Sequence, residues 1–413
     1  MRRQTIGSGI GLLLLLGLAL TGLAPAGRAQ SPEAAAPRSA QAQGEIRGVW
    51  MTANDMAVLR DRARMRQAVA HLAALQFNTI YVVVWNDGTA YYPSAVTRSR
   101  GFQDFEIRGL QGQDVLAELT DEARSQGLLV IPWFEFGFMV SLHAELARRH
   151  PDWLTQTRTG ERTSISAAGE VAWLNPFRPE VQQLITDLVL EVVTTYPVDG
   201  IQFDDHMSLP RAFGYDAYTT ALYRKETGKL PPANEADPAW VQWRAARITA
   251  FMKRLKQAVR QVQPAALFSI SPNYYDFAYK LQLQDWLSWV RQGIADELLI
   301  QIYRSDLNSY VPHLSRPEVL ESRERIPTGI AVMTGQRNKP VPLDLVLAQS
   351  QAARAQGLGV AYFYYESLWD LDPATADARR SALAAQFAVP APRQPNTAAP
   401  SLPPLLPPPP PAP

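Results

Sequence analysis

The chain has 413 residues, of which 46% are hydrophobic and 19% are charged, a balance typical of a globular protein with a substantial core. Its 40 Lys and Arg residues nearly match its 39 Asp and Glu residues, and the formal net charge of +1 gives no support to nucleic acid as the main partner. The absence of cysteine excludes thiol catalysis, disulfides and cysteine-ligated zinc.

The two ends of the chain differ in composition from the part between them. Residues 1–29 combine a basic start, an apolar run and small residues near the end, which predicts a secretory signal peptide. The apolar run is short for a membrane span, and an uncleaved anchor is the alternative. We therefore expect a secreted protein of the periplasm or cell envelope, with no stable membrane span once the signal is removed.

Two further terminal segments are predicted to lie outside the folded domain. Residues 30–43 are rich in Ala, Ser, Gln and Pro and are predicted to be a linker. Residues 390–413 are predicted to be a disordered, proline-rich tail with polyproline II character. We expect the tail to be a spacer, and a docking peptide for an envelope partner is the alternative.

Between these ends, short apolar segments alternate with helical patterns. The strand candidates are 47–51, 79–84, 128–133, 199–203, 267–271, 297–302, 328–333 and 359–363. Their apolar character is typical of strands that are covered on both faces. The clearest helix candidates are 62–75, 115–126, 180–195, 240–262, 344–356 and 375–387.

This alternation predicts an α/β fold, a (β/α)8 barrel of the TIM type that forms a single catalytic domain over residues 44–389. An open doubly wound sheet is the alternative, but no glycine-rich phosphate motif follows the first strand. Long segments follow strands two, three and four, at about 86–113, 134–178 and 204–239. Loops at that end of a barrel form the substrate site, so their lengths predict an extended cleft.

The fourth strand candidate ends in two carboxylates and an imidazole. Side chains alternate along a strand, so Gln202, Asp204 and His206 share one face, whereas Ile201 and Phe203 share the other. The apolar face is expected to pack on helices, which directs Asp204 into the barrel mouth. We predict that Asp204 and Asp205 are catalytic, and a loop cap or an ion pair is the alternative.

Glu135 is a second catalytic candidate, because it is a charged residue within the apolar stretch 131–137. Burial would raise the pKa of its carboxyl group and suit it to general acid catalysis. Partnership with an arginine such as Arg47 or Arg304 is the alternative.

The remaining strand ends are rich in aromatic rings and amides. Sugar rings present flat C–H faces that pack on aromatic rings, and their hydroxyls need fixed polar partners. The predicted substrate-binding residues are Trp50, Trp85, Asn86, Trp133, His206, Asn273, Tyr274, Gln301, Tyr303, Tyr364 and Glu366. The five histidines show no metal-ligand spacing, so we predict neither a metal site nor a cofactor.

Several segments, in this order, resemble the glycosyl hydrolase-like 10 family. They are 45–50 (EIRGVW), 77–81 (FNTIY), 130–134 (VIPWF), 150–154 (HPDWL), 173–176 (WLNP) with 179–181 (PEV), and 198–205 (VDGIQFDD). The resemblance covers roughly 45–370. It implies a secreted or envelope-bound bacterial protein with a (β/α)8 barrel, and one branch of the family cleaves peptidoglycan strands whose peptides have been removed.

By this resemblance, the Asp-Asp pair of the family falls on Asp204 and Asp205. Many relatives follow the pair with an aromatic residue, whereas this chain has His206, and relatives often carry an Asn near the position of Glu135. The implied function is hydrolysis of a polysaccharide, an amino-sugar glycan of the bacterial cell wall. A glycan-binding envelope protein without catalysis and a polysaccharide lyase are the alternatives.

Overall fold

The computed structural model describes residues 44–104, 112–166, 169–336, 339–369 and 373–394. The predictions of a signal peptide over 1–29 and a linker over 30–43 lie outside the described residues, as does most of the predicted tail. In the described part of the chain, no helix combines the length and the hydrophobicity needed to span a membrane.

Eight parallel strands form a closed barrel, which confirms the predicted fold. Each strand pairs with its neighbours in chain order, and the first strand pairs with both the second and the eighth to close the ring. The strands are β1 (Arg47–Met51), β2 (Thr79–Asn86), β3 (Leu129–Phe134), β4 (Gly200–Asp204), β5 (Leu267–Ser271), β6 (Glu297–Gln301), β7 (Thr328–Met333) and β8 (Gly359–Phe363). Every predicted strand boundary falls within two residues of the observed one.

The strands are buried along nearly their whole length because helices cover the outside and side chains fill the inside. Phe203 of β4 packs outward between Phe134 and Phe268, with ring centroids 5.3 and 5.4 Å away. Gln202 lies on the inward face, where its side chain accepts a hydrogen bond from the Trp50 indole. A Cβ atom on Gly200 would lie 2.4 Å from the Leu267 carbonyl oxygen, so the close approach of β4 and β5 requires glycine there.

The six predicted helices are all present, with bounds of Arg62–Ala74, Val115–Ser125, Pro179–Thr195, Pro238–Val262, Leu343–Ala355 and Ala376–Gln386. The structure adds an 11-residue helix at Ala217–Thr227 and shorter helices at Met56–Leu59, Ala95–Ser99, Glu145–Arg149, Tyr275–Gln282, Trp286–Arg291, Leu307–Leu314, Pro317–Arg325 and Tyr365–Trp369. It also adds 3-10 turns at Ala53–Asp55, Pro151–Trp153 and Pro373–Thr375.

The connections after β2, β3 and β4 are long, as predicted. The connection after β3 carries a small antiparallel sheet of Met139–Val140, Gly169–Trp173 and Thr163–Ser166. Two further short pairings are Thr89–Ala90 with the end of β2, and Gly335–Gln336 with Lys339–Pro340. These additions build up the wall of the barrel at the carboxyl ends of the strands.

The packed part of the chain extends past residue 389, where we predicted that the barrel ends. Arg393 is only 5% exposed, and its guanidinium forms a salt bridge with Glu297, the fully buried first residue of β6. The same guanidinium donates a hydrogen bond to the Thr79 hydroxyl at 2.8 Å. The predicted start of the tail at Pro390 therefore needs correction, because residues 390–394 close the amino end of the barrel.

Candidate active site

Asp204 is the last residue of β4 and is only 3% exposed. One of its carboxylate oxygens accepts hydrogen bonds from the His206 backbone N–H at 2.9 Å and from His206 Nδ1 at 3.1 Å. Burial raises the pKa of Asp204 to about 6, although the neighbouring imidazolium opposes the rise. The parity of β4 thus brings this carboxyl group to the inner face of the barrel, at its mouth.

Glu135 follows directly on β3 and faces the same mouth. Asn86, at the end of β2, donates a hydrogen bond from Nδ2 to Glu135 Oε2 at 2.6 Å. Arg47 is paired with Glu45 instead, and Arg304 bonds to Tyr303 and His313, so neither arginine is the partner of Glu135. Burial raises the pKa of Glu135 to about 7, with the Asn86 hydrogen bond opposing the rise and the Asp204 charge adding to it.

His206 links the ends of β3 and β4. Its Nδ1 lies 2.8 Å from the Glu135 backbone oxygen as well as close to Asp204, so Nδ1 carries a proton and donates. The rings of Phe136 and Trp173 lie beside the imidazole, with centroids 5.5 and 6.3 Å away. Burial disfavours the charged ring, but the two aspartates outweigh it and raise the pKa of His206 to about 10. His206 is therefore a fixed cation at neutral pH.

Asp205 lies just beyond β4 and is held by two amide side chains. Asn273 Nδ2 donates to one carboxylate oxygen at 2.8 Å, and Gln301 Nε2 donates to the other at 3.0 Å. Tyr303 lies near this pair of aspartates. Burial and the charges of Asp205 and Asp204 raise the pKa of its phenol. The Asp205 side chain keeps 16% of its surface exposed, so an incoming group can reach it.

Three tryptophans that were predicted to bind sugar rings are buried more deeply than a ring that stacks on a sugar would be. Trp50, Trp85 and Trp133 are 2%, 1% and 2% exposed. Trp50 stacks on Tyr81 at 5.2 Å and contacts Trp133 edge-on at 6.4 Å, which makes these rings the floor of the barrel mouth. Their contact with a sugar remains a prediction that the closed packing of the floor does not support.

Tyr364 and Glu366 lie on the far side of the mouth, after β8. Tyr364 is 4% exposed, and the Glu366 backbone N–H donates to Asp55 Oδ1 at 2.7 Å. Asp55 is a buried carboxyl group that sequence reasoning missed. Burial raises its pKa to about 8. The signal for it was present, because Thr52 and Asp55 form a capping box directly after β1.

The structure adds two residues to the site and gives partners to two residues that were predicted. Phe136 and Trp173 surround His206, although neither was proposed as a site residue. Asn273 and Gln301 were predicted to bind substrate, and the structure shows them bonded to Asp205. The parity of β4 gave the direction of Asp204, whereas contacts between distant loops carried no local signal.

The carboxylates and the imidazole also form the geometry of a possible cation site. Ligand atoms of Asp204, Asp205 and His206 lie within 4.8 Å of one another. The same atoms already take part in hydrogen bonds to His206, Asn273 and Gln301, so the cluster is satisfied as a network of protein groups. The prediction of no metal stays a prediction.

The chemistry available at this mouth is proton transfer beside a fixed negative charge. Glu135 has a pKa near neutrality, which suits a group that donates a proton to a leaving oxygen. Asp204 and Asp205 lie close enough to Glu135 for their charges to raise its pKa. An acid and a carboxylate that flank one bond are the usual parts of glycoside hydrolysis.

A closed (β/α)8 barrel with acidic groups at the carboxyl ends of β3 and β4 is an architecture that fits glycoside hydrolases. The family model described as Glycosyl hydrolase-like 10 matches residues 45–352. The chain belongs to that family, which confirms the resemblance and, at the level of the family, the prediction of a glycoside hydrolase.

Similar proteins agree with this placement. Glycosyl hydrolase DigH of Escherichia coli strain K12 is 29% identical over 303 residues, covering 64% of this chain and 66% of that protein. Glycosyl hydrolase YngK of Bacillus subtilis strain 168 is 24% identical over 308 residues, covering 65% of this chain and 56% of that protein. The chain thus spans slightly less than two thirds of the length of DigH.

Solved structures support the fold. The glycoside hydrolase domain of PgaB (BpsB) from Bordetella bronchiseptica matches with a TM-score of 0.63 and 16% identity, covering 82% of this chain and 99% of that chain. Alpha-L-fucosidase isoenzyme 2 from Paenibacillus thiaminolyticus matches with a TM-score of 0.61 and 15% identity, covering 83% of this chain and 49% of that chain.

Proposed function

We propose that this protein is a secreted glycoside hydrolase that cleaves an amino-sugar glycan of the bacterial cell wall, namely peptidoglycan strands whose peptides have been removed. One observation carries the catalytic part of the proposal. Glu135, with a pKa of about 7, shares the barrel mouth with Asp204 and Asp205. The substrate class rests on the family resemblance. For secretion, the expected observation is a mature amino terminus near residue 30 of the exported protein.

In the proposed reaction, Glu135 gives its proton to the glycosidic oxygen as the bond from that oxygen to the anomeric carbon breaks. The carboxylate of Asp204, with Asp205 beside it, stabilises the positive charge that develops on the sugar ring. A water molecule then supplies the oxygen that bonds to the anomeric carbon, and its proton returns to a carboxylate. His206 positions Asp204 through their hydrogen bonds and limits the net charge of the mouth.

The composition of the mouth supports a polysaccharide as the substrate. Three long connections surround it, which favours a cleft open to a chain of sugars. Tyr303, which is near Asp205 and Asp204, and Phe136, which lies beside His206, are partly exposed rings, and so is Tyr274, which follows Asn273. Such rings and the adjacent amide groups suit the apolar faces and the hydroxyls of sugars.

The products formed from peptide-stripped glycan strands test this proposal and separate its alternatives. The protein from residue 44 to 394, rather than to 389, is incubated with the strands, and the products are weighed by mass spectrometry. We expect shorter strands, each cleavage adding one water, and a loss of about 100-fold or more in turnover for Asp204→Asn.

Two outcomes would contradict the hydrolase, and a third would contradict the role of Asp204. Intact strands that remain bound would mean a glycan-binding protein, and anhydro ends would mean a lyase. Unchanged turnover by Asp204→Asn would remove Asp204 from the mechanism.

A further inference from the structure

Arg304 lies at the mouth of the barrel, three residues after the end of β6. Its guanidinium stacks over the Tyr274 ring at 5.1 Å from the centroid. Nη1 donates to the Tyr303 backbone oxygen at 2.8 Å, and Nη2 donates to His313 Nε2 at 2.9 Å. Gln349 in turn donates to the Arg304 backbone oxygen at 2.8 Å. The guanidinium is therefore fixed in place by neighbours from several elements.

None of these neighbours is an anion. Burial and the positive charges of Arg304 and Arg316 lower the pKa of His313, so its ring is neutral and Nε2 accepts from Arg304. No carboxylate of the described chain lies within 4.0 Å of the Arg304 guanidinium. Arg316, by contrast, is bonded to both Asp276 and Glu318. Arg304 thus has no anionic partner among the described residues, and only two of the five N–H groups of its guanidinium have protein acceptors.

Arg304 and its ring partner Tyr274 are close in sequence to the residues that contact Asp205. Gln301 and Asn273 donate to the two Asp205 oxygens. Gln301 lies three residues before Arg304, and Asn273 directly precedes Tyr274, over which Arg304 stacks. Arg304 follows β6, so it lies at the same end of the barrel as the carboxylates, and the phenol of the preceding Tyr303 is near enough to Asp205 and Asp204 for their charges to raise its pKa.

We propose that Arg304 recognises a carboxylate on the glycan, so that the cleft selects sugars with an acidic substituent. This inference rests on the proposed function. Removal of an amide-linked peptide from a sugar leaves a carboxylate, and a guanidinium presents paired N–H groups that match its two oxygens. The stacking on Tyr274 orients the group before the glycan binds, which lowers the entropy cost of recognition.

The test compares two versions of the same peptide-stripped strands, one with free carboxylates and one with these converted to amides. We expect the wild type to prefer the free carboxylates by roughly 10- to 100-fold in kcat/KM, the range for a hydrogen-bonded ion pair. Arg304→Met should lose this preference by becoming slower on the acidic strands alone. Arg304→Lys should keep part of it, because it keeps the charge but not the paired donors.

Arg254→Met is the matched control. Arg254 also bonds to a neutral side chain, Gln182, but lies on the outer helix Pro238–Val262. This variant should retain the preference of the wild type. A wild type that cleaves both strands equally would overturn the proposal, as would an Arg304→Met variant that slows on both strands alike, since that result would mean a structural role.

Failure of the proposed function would look different. If the wild type cleaves neither strand, hydrolysis of this glycan is wrong, and equilibrium binding of the same two strands still decides the role of Arg304. Tighter binding of the acidic strands that Arg304→Met abolishes would support it, and equal binding by both proteins would reject it.

Discussion

At the scale of residues, the surroundings of Glu135, Asp204 and His206 at one end of the barrel separate their pKa values. Burial raises the pKa of Glu135 to about 7 and that of Asp204 to about 6. The aspartates raise the pKa of His206 to about 10 against the effect of burial. Between pH 6 and 7, Glu135 therefore holds a proton while Asp204 is ionised. Such a separation is how one site supplies both an acid and a charged carboxylate.

Asn86 influences the pKa of Glu135, the proposed general acid. Its Nδ2 donates to the ionised carboxylate of Glu135 and so lowers the pKa of that group. Replacing Asn86 by Leu removes the donor, raises the pKa of Glu135 and should move the alkaline limb of the kcat/KM profile to higher pH. The acidic limb, which follows Asp204, should stay in place.

The control for this prediction is Asn308→Leu, a change at an exposed position of the outer helix Leu307–Leu314. Its pH profile should match that of the wild type. An alkaline limb that stays where it is in Asn86→Leu would argue against Glu135 as the group that sets it.

At the scale of elements, the barrel could be predicted from the sequence because each of its strands is a short run that is buried along nearly its whole length. The long helices were readable from their 3.6-residue periodicity, as in Pro179–Thr195, where the buried residues recur at Val181, Leu184, Ile185 and Leu188. The shorter helices were missed for identifiable reasons. Trp286–Arg291 is only six residues long, and Leu307–Leu314 contains Pro312, which normally ends a helix.

Only part of the candidate site could be predicted from the sequence, for a related reason. Alternation along β4 is local, so it correctly placed Gln202 and Asp204 on the inward face. The bonds that Asn273 and Gln301 make to Asp205 span 68 and 96 residues. Partnerships over such distances depend on how the loops pack, and no periodicity records them. The neutral partner of Glu135, Asn86, was hidden in the same way.

A buried hydrogen-bonded chain along the barrel axis carries the next prediction. It runs from Trp50 through Gln202 and Ser269 to Glu297, with donor–acceptor distances of 2.7 to 2.8 Å, and ends at Arg393. Arg393→Met would leave the Glu297 carboxylate buried without its counter-ion. We expect a loss of about 3–5 kcal/mol in the free energy of unfolding, measured by urea titration.

Arg380→Met is the matched control, because Arg380 pairs with Asp377, whose side chain is 98% exposed. Such a surface pair contributes about 1 kcal/mol or less. Adding Glu297→Gln to Arg393→Met removes the buried charge and should recover part of the loss. Equal stability of the Arg393 and Arg380 variants would show that residues 390–394 are not part of the folded core.

At the scale of the whole molecule, the described chain begins and ends at the same face of the barrel. A Cβ atom on Gly44 would lie 2.7 Å from the Pro392 carbonyl oxygen, and Asn78 donates to backbone oxygens of both Glu45 and Ala391. This face is the amino end of the strands, whereas the carboxylates lie at the carboxyl end. Both ends of the described chain therefore lie on the side opposite the carboxylates.

This arrangement suits an enzyme that acts on a large polymer. The long connections after β2, β3 and β4 lie at the carboxyl end of the strands, whereas both described ends of the chain lie at the amino end. Long loops at one end of a rigid barrel are also where this fold accommodates different substrates. Glu135 and Asp205 are the first residues of two of these connections, so the catalytic groups lie where the strands end and the long loops begin.

The dependence of kcat/KM on pH, measured on peptide-stripped glycan for the wild type and for Glu135→Gln, tests the central claim most directly. The wild type should show a bell with its maximum between about pH 6 and 7, falling at lower pH as Asp204 gains a proton and at higher pH as Glu135 loses one. Glu135→Gln should be slower by about 100- to 10,000-fold and lack the alkaline limb. A Glu135→Gln variant with the rate and the bell of the wild type would contradict the account.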